Sequence, residues 1–328
     1  MLNRKAFQVR PGIEALEDRC VLASLTLNNL NYIYSFAFSG TGATEQWHAL
    51  GETGYFSDDQ ASHLGMITPF SERSNLLTVY QAPNGIVSLA GMSRNGNWII
   101  GSNENGSYRW SAQAPTKPKT IAVNEFPFVG KFTPESVSNN GIVVGELAGE
   151  FDRVPAYWSE TSGFHVFHIP TGNGGTARFI NQAGTLAVGQ VKDIASGDSN
   201  AASFTKVGVA KLLAHTGYQN SEAITSTSSG SLIAGTVTTA GYFDPSDFGN
   251  YVQPVTYASV WDADGQHTLQ WSDGSLVQLF DYQNTMFLTD EGYLAGNTPQ
   301  GPFIWAPSFD GIHSQFLGRS LWKTGMRQ

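Results

Sequence analysis

The sequence predicts an all-β fold, a β-propeller of about six blades, with seven as the alternative count. Three observations support this: a composition poor in charge and rich in glycine, a turn-and-strand element that recurs about every 44 residues, and an aromatic strand after each copy. Short antiparallel strands at such a period are typical of propeller blades, each of which buries its faces against its neighbours.

Composition narrows the class of protein. Charged residues make up 14% of the 328 residues and glycine contributes 36, which suits short strands and tight turns better than long surface helices. The net charge of −9 argues against nucleic acid as a partner, because phosphate binding needs a basic face. The single cysteine, Cys20, excludes an intramolecular disulfide. No run approaches the ~20 apolar residues of a membrane span.

The repeated element is a turn that leads into a strand ending in glycine. The closing glycines are Gly101, Gly145, Gly189, Gly235 and Gly296. Their spacings are 44, 44, 46 and 61, and the longest interval contains an insertion, Tyr242 to Val255. The Asn-Gly-type turns allow the positive φ of tight hairpins. Each closing glycine is predicted to let the backbone pass close to a neighbouring strand.

A second anchor follows each closing glycine, a short strand that ends in an aromatic residue. These residues are Trp110, Trp158, Phe204, Trp261 and Trp305. A side chain that recurs in every unit is usually a packing residue, so we expect the four tryptophans in the core between blades. One further apolar run completes a unit of three or four antiparallel strands.

The N-terminal stretch predicts a degenerate sixth unit. Tyr32 to Gly40 alternates as a strand, and Gln46 to Leu50 resembles the aromatic strand and its exit. Residues 51–80 lack a clear motif. We therefore expect one propeller domain over residues 25–328, preceded by an export segment over residues 1–24.

The repeat resembles the HAF family of extracellular repeats. Ser136 to Gly145, Phe179 to Gly189 and Ala156 to Trp158 carry the resemblance, which covers roughly residues 80 to 310. The chain departs from the pattern before Gly230, where serine replaces Asn or Asp, and at Phe204, which replaces Trp. The resemblance implies an exported repeat array and no particular reaction.

The first 24 residues lack the apolar core of a standard secretory signal. The run resembles the planctomycete N-terminal export signature built around Leu-Glu-Asp-Arg. The matching residues are Arg10, Pro11, Ile13, Glu14, Leu16, Glu17, Asp18, Arg19, Leu22 and Ala23. This resemblance implies a secreted or cell-surface protein, with cleavage or anchoring near Ala23 and Ser24.

The sequence predicts no catalytic residue, no metal ligand and no cofactor. Asp262-Ala-Asp264-Gly265 begins like a calcium loop, but the twelfth position is Asp273 where the motif needs glutamate, so we expect a hairpin turn. Calcium held by scattered loop carboxylates stays open. Glu146, Glu150 and Asp152 are predicted to form a solvated acidic loop.

Three functions are compatible with these patterns. The first is a non-catalytic binding or scaffold module that takes a protein or polysaccharide through loops on one propeller face. The second is a secreted propeller glycoside hydrolase or polysaccharide lyase, and the third is structural packing in the cell envelope. Counted from the closing glycines, nearby loop positions hold Glu104, Glu146, Lys192, Thr238 and Pro299. Because no acid recurs, the sequence favours binding, and we expect that the protein is not an enzyme.

The insertion is the predicted ligand-binding segment, because it interrupts the repeat with aromatic residues beside carboxylates. Loops of this composition make contacts with carbohydrate or peptide. The candidate residues are Tyr242, Phe243, Asp244, Asp247, Phe248 and Tyr251. The alternative is a local cap over a blade edge.

Overall fold

A computed structural model describes residues 32–39, 46–52, 63–67, 77–81, 88–111, 114, 117–123, 130–148, 153–169, 173–205, 211–243, 251–271, 274–279, 286–299, 301–306 and 315–316. These residues form 26 strands with their turns, and no helix occurs among them. The all-β prediction is confirmed. The described part of the chain accordingly offers no helix that could cross a membrane. The predicted export segment, residues 1–24, lies outside the described residues.

The strands form six four-stranded antiparallel sheets, which are the blades, and one two-stranded ribbon. Blades 1 to 3 consist of β1 (Tyr32–Ser39), β2 (Gln46–Glu52), β3 (His63–Ile67), β4 (Leu77–Gln81); β5 (Ser88–Met92), β6 (Trp98–Asn103), β7 (Gly106–Ser111), β8 (Lys119–Thr120); and β9 (Phe132–Val137), β10 (Val143–Ala148), β11 (Arg153–Ser159), β12 (Gly163–Val166). Blades 4 to 6 consist of β13 (Asn173–Ile180), β14 (Leu186–Asp193), β15 (Ser199–Thr205), β16 (Lys211–Leu212); β17 (Asn220–Ser226), β18 (Ile233–Thr238), β21 (Thr256–Trp261), β22 (Gln266–Thr268); and β23 (Met286–Leu288), β24 (Leu294–Thr298), β25 (Gly301–Ala306), β26 (Gln315–Phe316). The ribbon, β19 (Tyr242–Phe243) with β20 (Tyr251–Val252), lies in the insertion between the second and third strands of blade 5.

The blades are arranged around an axis lined by their first strands. β1 contacts β5, β5 contacts β9, β9 contacts β13, β13 contacts β17, and β17 contacts β23. Each later strand of a blade lies one step further out, because the strands pair in chain order. This is the propeller that the repeat predicted, with six blades among the described residues. One detail of the prediction is wrong: Gln46–Glu52 is the second strand of blade 1, paired directly with β1, and not its aromatic third strand.

The turn between the first and second strands has similar hydrogen bonds in blades 2 to 6, in which a side-chain oxygen accepts an N–H from four or five residues further on. In blade 3, Gly141 has a φ of 78° and donates its N–H to the Ser138 carbonyl at 3.0 Å. Ser138 Oγ accepts the N–H of Ile142 at 3.0 Å. The equivalent side-chain acceptors are Ser93, Asn181, Thr227 and Thr289. The turn therefore requires a short side-chain oxygen followed three residues later by glycine, which explains both recurring positions.

Each closing glycine of blades 2 to 5 pairs with the first strand beside a β-bulge. In blade 4, Gly189 pairs with Ala177, and the register then skips Arg178, the bulged residue. A Cβ on Gly189 would collide with the carbonyl oxygen of Thr176 on that strand. The same collision would occur at two further closing glycines, Gly145 and Gly235. The predicted close approach of the backbone is confirmed at these three glycines, and the bulge is its cause. At Gly296 an added Cβ would instead meet the Phe303 ring.

The recurring tryptophans lie in the core between blades, as predicted. Trp110, Trp158, Trp261 and Trp305 are 1%, 5%, 3% and 5% exposed. Trp261 shows how such a residue joins two blades, since its indole Nε1 donates to the Ala214 carbonyl of the preceding blade at 2.7 Å.

A buried guanidinium joins blades 2 and 3. Arg109 is 3% exposed and lies 4.0 Å from the ring centre of Trp98 and 4.8 Å from that of Trp158. Its terminal nitrogens donate to the Gly141 carbonyl and to Glu160 Oε2, both at 2.6 Å. A stacked guanidinium keeps its charge partly compensated by the π-electrons of the rings, which allows an ion to sit in the core.

Candidate functional site

The first-to-second-strand turns of blades 2 to 6 gather at one end of the axis, here called the turn face (residues 93–96, 138–141, 181–184, 227–230 and 289–292). Asp290 of blade 6 is the centre of this end. Its Oδ1 accepts from Arg94 Nη1 of blade 2 at 3.1 Å and from the Ser228 N–H of blade 5 at 2.7 Å. Its Oδ2 accepts from Gln182 of blade 4 and from Ser228 Oγ, each at 2.9 Å.

Blade 3 joins the same network through Asn139. Asn139 Oδ1 accepts the N–H of Asn95 in blade 2 at 2.9 Å, and its Nδ2 donates to Gln182 Oε1 in blade 4 at 3.1 Å. Asn95 and Asn139 are 44 residues apart, which is one repeat. The turns of five blades are thus tied to one another across the axis by their side chains. Many polar groups of these five described turns are therefore used in contacts between blades.

The opposite end, here called the loop face, carries the second-to-third-strand connections. Adjacent strands of a blade are antiparallel, so these connections lie at the far end from the turn face. Two of them lie on neighbouring blades: the turn Asp193–Asp198 of blade 4 and the insertion of blade 5. The predicted ligand-binding segment therefore projects from the loop face.

The base of the insertion continues the ladder between β18 and β21. The Thr239 N–H donates to the Val255 carbonyl at 3.0 Å, and the Val255 N–H donates to Thr239 Oγ1 at 2.9 Å. Next to this base, the Tyr251 hydroxyl occupies the place that a side chain on Gly241 would need. Only glycine at position 241 lets the Tyr251 ring lie over the backbone.

The ribbon presents its tyrosines on two sides. Tyr242 pairs with Val252, and Phe243 pairs with Tyr251. Successive residues of a strand point to opposite faces, so Tyr242 and Tyr251 lie on opposite faces of the ribbon. They are 55% and 40% exposed. Two candidate residues of the insertion are thus open to solvent without forming one flat aromatic platform.

The structure describes only one of the remaining candidate residues of the insertion. Phe243 is placed by its backbone within β19. Asp244, Asp247 and Phe248 lie outside the described residues, so their predicted contribution stays a prediction.

The turn Asp193–Asp198 is fixed beside the insertion by Gln219. Gln219 Nε2 donates to Asp198 Oδ1 at 2.9 Å, while its N–H donates to the Thr238 carbonyl at 3.0 Å. Thr238 is the residue directly before the base of the insertion. Ile194, at the tip of the turn, is 44% exposed. The two connections are therefore neighbours on the loop face, a relationship that the sequence does not reveal because Ile194 is a single apolar residue in a polar turn.

Near the axis, Arg178 of blade 4 bridges carboxylates of the blades on either side. Arg178 Nη1 lies 3.2 Å from Glu135 Oε1 of blade 3, and its Nε donates to Glu222 Oε1 of blade 5 at 2.7 Å. Burial raises the pKa of Glu135 above its ordinary value, against the opposing effect of Arg178, and the nearby carboxylates of Glu146 and Glu222 raise it further. Burial acts to lower the pKa of Arg178, but the two glutamates outweigh it and raise that pKa, so the guanidinium stays charged.

Glu146 corrects the prediction of a solvated acidic loop. It lies within β10, is 5% exposed, accepts from Thr176 Oγ1 at 2.8 Å and forms an ion pair with Arg153. Glu150 and Asp152 lie outside the described residues. The strand continues past the closing glycine, which placed Glu146 inside the sheet and not in the loop.

The charges on the first strands lie before the closing glycines, so a count of acids after each closing glycine does not find them. Glu135 and Arg178 are both bulged residues, 10 or 11 positions before the closing glycine. The bulged residues of blades 2 and 5 are Ala90 and Ile224. A count made from the bulge would have found the pair, because a bulge redirects one side chain out of the regular alternation.

The segment resembling a calcium loop is a hairpin turn, as predicted. Asp262 Oδ1 accepts the N–H groups of Asp264 at 2.8 Å and Gly265 at 3.1 Å, and it also meets His267 Nε2 at 3.1 Å. Gly265 has a φ of 126°. The Asp262 carboxylate thus closes the turn between β21 and β22. Within the described residues, no group of three or more metal-ligating side chains occurs.

No family model matches the chain, and no curated protein matches it in sequence. Solved structures with a similar backbone include TolB from Acinetobacter baumannii, with a TM-score of 0.44 and 11% identity over 85% of this chain and 77% of that one. A putative TolB from Agrobacterium tumefaciens has a TM-score of 0.44 and 11% identity, covering 76% and 82%. Prolyl oligopeptidase B from Galerina marginata has a TM-score of 0.45 and 8% identity, covering 87% of this chain and 41% of the peptidase. The assignment of the fold rests on the six sheets of the chain itself.

Proposed function

We propose that this chain is an exported, non-catalytic binding module that presents its ligand site on the loop face. The observation that carries the proposal is the difference between the two ends of the propeller. One end is tied together around Asp290, and the other bears the exposed Tyr242 and Tyr251 on an insertion that breaks the repeat. A scaffold usually carries its function in loops that depart from the repeated structure.

The ligand is a protein or a polysaccharide outside the cell or at its surface. The test is a binding measurement with the purified protein against panels of peptides and glycans, repeated with Tyr242→Ala and Tyr251→Ala. Both residues are exposed, so the variants should fold like the parent protein and lose affinity. A ligand whose affinity is unchanged in both variants would place the site elsewhere.

Export rests on the resemblance of the N-terminal segment to the Leu-Glu-Asp-Arg signature, in keeping with the HAF-like repeat. The proposal predicts that the wild-type chain, produced in a planctomycete host, is recovered outside the cytoplasm. Replacement of Glu17, Asp18 and Arg19 by alanine should retain it inside. Equal distribution of both forms between cell fractions would contradict export through this segment.

A secreted glycoside hydrolase or polysaccharide lyase is the second candidate, and the carboxylates around Arg178 are the observation that favours it. Glycosidases act through a pair of carboxyl groups that face the substrate. Here Glu135 and Glu222 face the same guanidinium, which is the arrangement of an ion bridge between three blades. We therefore place the non-catalytic function first. Turnover of a polysaccharide panel that is abolished by both Glu135→Gln and Glu222→Gln would reverse this order.

A further inference from the structure

The exposed large apolar side chains concentrate on the loop face of blades 4 and 5. Among the described residues, Ile194, Tyr242 and Tyr251 all lie in the second-to-third-strand connections of these neighbouring blades. The two others that are exposed, Val166 and Leu212, lie on the outermost strands β12 and β16. Isolated apolar residues on a surface need no explanation, but a group on adjacent connections indicates a surface that another molecule covers.

The backbone that carries the group is held by hydrogen bonds at two points, and such ordering before binding lowers the entropy lost on binding. Gln219 fixes the Asp193–Asp198 turn to the first strand of blade 5, and the Thr239 and Val255 hydrogen bonds fix the base of the insertion. The described anchors of the surface are therefore in place before a ligand arrives.

The charge beside Ile194 is negative. Asp193 and Asp198 lie at the two ends of its turn. Asp193 Oδ1 accepts only the N–H groups of its own turn, from Ala195 at 2.8 Å and Ser196 at 3.3 Å. Neither aspartate forms a salt bridge with another described residue. Lys192 is the cation of the same hairpin, and the whole chain carries a net charge of −9. An apolar surface with this rim complements a cationic partner.

We infer that the loop face of blades 4 and 5 binds a protein partner through a segment of apolar side chains flanked by lysine or arginine. The inference rests on the proposed binding function and names the class of its ligand. A glycan is the poorer fit, because sugar rings stack on flat aromatic faces. The two tyrosines lie on opposite sides of the ribbon, and Ile194 has no ring.

The experiment uses the full chain and three labelled synthetic peptides of equal length. The first alternates lysine with leucine and tryptophan, the second has glutamate in place of lysine, and the third has serine in place of leucine and tryptophan. A neutral β-glucan oligosaccharide is the fourth probe. Fluorescence anisotropy gives affinity for the parent protein, for Ile194→Ser and Tyr242→Ser, and for the control Leu212→Ser. Leu212 is 46% exposed against 44% for Ile194, but it lies on the outermost strand of blade 4.

We expect only the lysine–leucine–tryptophan peptide to bind, and its affinity to fall about tenfold in each loop-face variant and to stay unchanged in Leu212→Ser. Its affinity should also fall when the salt concentration rises from about 0.05 M to about 0.5 M. Equal binding of the lysine–serine peptide, equal loss in Leu212→Ser, or no binding of the first peptide up to about 1 mM would overturn the inference.

Glycan binding that is lost in the loop-face variants would overturn the partner class and leave the binding function intact. Failure of the binding function has a different signature, namely polysaccharide turnover that depends on Glu135 and Glu222.

Discussion

The carboxylate of Asp290 in blade 6 accepts a hydrogen bond from Arg94 in blade 2 at 3.1 Å, although the two residues are 196 positions apart in the chain. Arg94 Nη2 also donates to the Leu288 carbonyl at 3.2 Å. The last blade is therefore attached to a blade near the start of the chain without passing through a shared sheet. In a repeat array each unit otherwise contacts only its neighbours, so this contact links blade 6 to a blade far from it along the chain.

Replacement of Asp290 should weaken the whole propeller. Asp290→Ala removes a charged acceptor from Arg94, Gln182 and Ser228, and we expect the free energy of unfolding to fall by about 2 kcal/mol. Urea unfolding measures the change. Glu291→Ala alters the next residue, which is exposed, and should cost less than about 0.5 kcal/mol. Equal costs for the two variants would show that the hydrogen bonds to Asp290 contribute nothing.

The closing glycine of blade 4 should not tolerate a side chain. Gly189→Ala places a Cβ against the main-chain carbonyl of Thr176, which cannot move without breaking the ladder, so we expect a loss of about 3 kcal/mol. In the control Gly91→Ala, the nearest atom to the new Cβ is the Glu135 carbonyl oxygen at 3.6 Å, an ordinary contact. That variant should change stability by less than about 1 kcal/mol. Thermal and urea unfolding compare the two variants, and a mild effect at Gly189 would argue against the bulge at Arg178.

The guanidinium between Trp98 and Trp158 should matter far more than the exposed cation beside it. Arg109→Met leaves the Gly141 carbonyl without its donor and ends the stacking, with an expected cost of about 2–3 kcal/mol. Lys119 Nζ lies 2.5 Å from Oε1 of Glu160, the carboxylate that Arg109 also contacts. The side chains of Lys119 and Glu160 are each 51% exposed. Lys119→Met should therefore cost less than about 1 kcal/mol. Similar midpoints in urea for both variants would contradict the burial of Arg109.

Lowering the pH should remove the contribution of the Glu160 carboxylate to the stability of the fold. Hydrogen bonds from Lys119 and from Arg109 hold the pKa of Glu160 below its ordinary value of 4.5. A lowered folded-state pKa stabilises the protein above the unfolded-state pKa, and this stability is lost as the pH falls through the folded-state value. Glu160→Gln should therefore be less stable than the parent at neutral pH, with a difference that shrinks below pH 4.5.

Glu135 should give the opposite dependence of stability on pH in the same measurement. Burial raises its pKa above 4.5, so protonation in the folded state begins at a higher pH than in the unfolded chain. The stability of the parent relative to Glu135→Gln should thus increase as the pH falls from the raised value towards 4.5. Parallel pH profiles for Glu160→Gln and Glu135→Gln would contradict the opposite directions of the pKa shifts of these two carboxyl groups.

The sequence alone predicted the repeat, the blades and the buried tryptophans, because each of these depends on local requirements that recur. A turn with a left-handed residue needs glycine, as at Gly141, and a strand that passes a bulge needs glycine, as at Gly189. Blade 1 was harder to predict. Its strands have the alternation of β-structure, and Gly51 pairs with Ile33 beside a register shift as the closing glycines do. No glycine lies four or five positions before Gly51, so the recurring turn is not recognisable and Gln46–Glu52 was assigned to the wrong position in the sheet.

The site was less predictable, because its residues meet only in three dimensions. Arg178 lies 43 residues from Glu135 and 44 from Glu222, and nothing in the sequence marks the three as partners until the register of the bulges is known. Asp290 lies in a turn whose recurring residues predict its backbone conformation but not the contacts of its side chain. Ile194 is recognised as part of a surface only when the position of the neighbouring blade 5 is known. Position within a repeat therefore predicts packing well and predicts contacts across the axis poorly.

The outermost strands have a consequence for behaviour at high concentration. β8 and β16 are two residues long and β12 is four. Such short edge strands have few unpaired backbone N–H and C=O groups with which a strand of a second molecule could pair. Edge-to-edge polymerisation and fibril growth are therefore disfavoured. A protein rich in strands can in this way stay dispersed without a charged coat, which fits a composition with few charged residues.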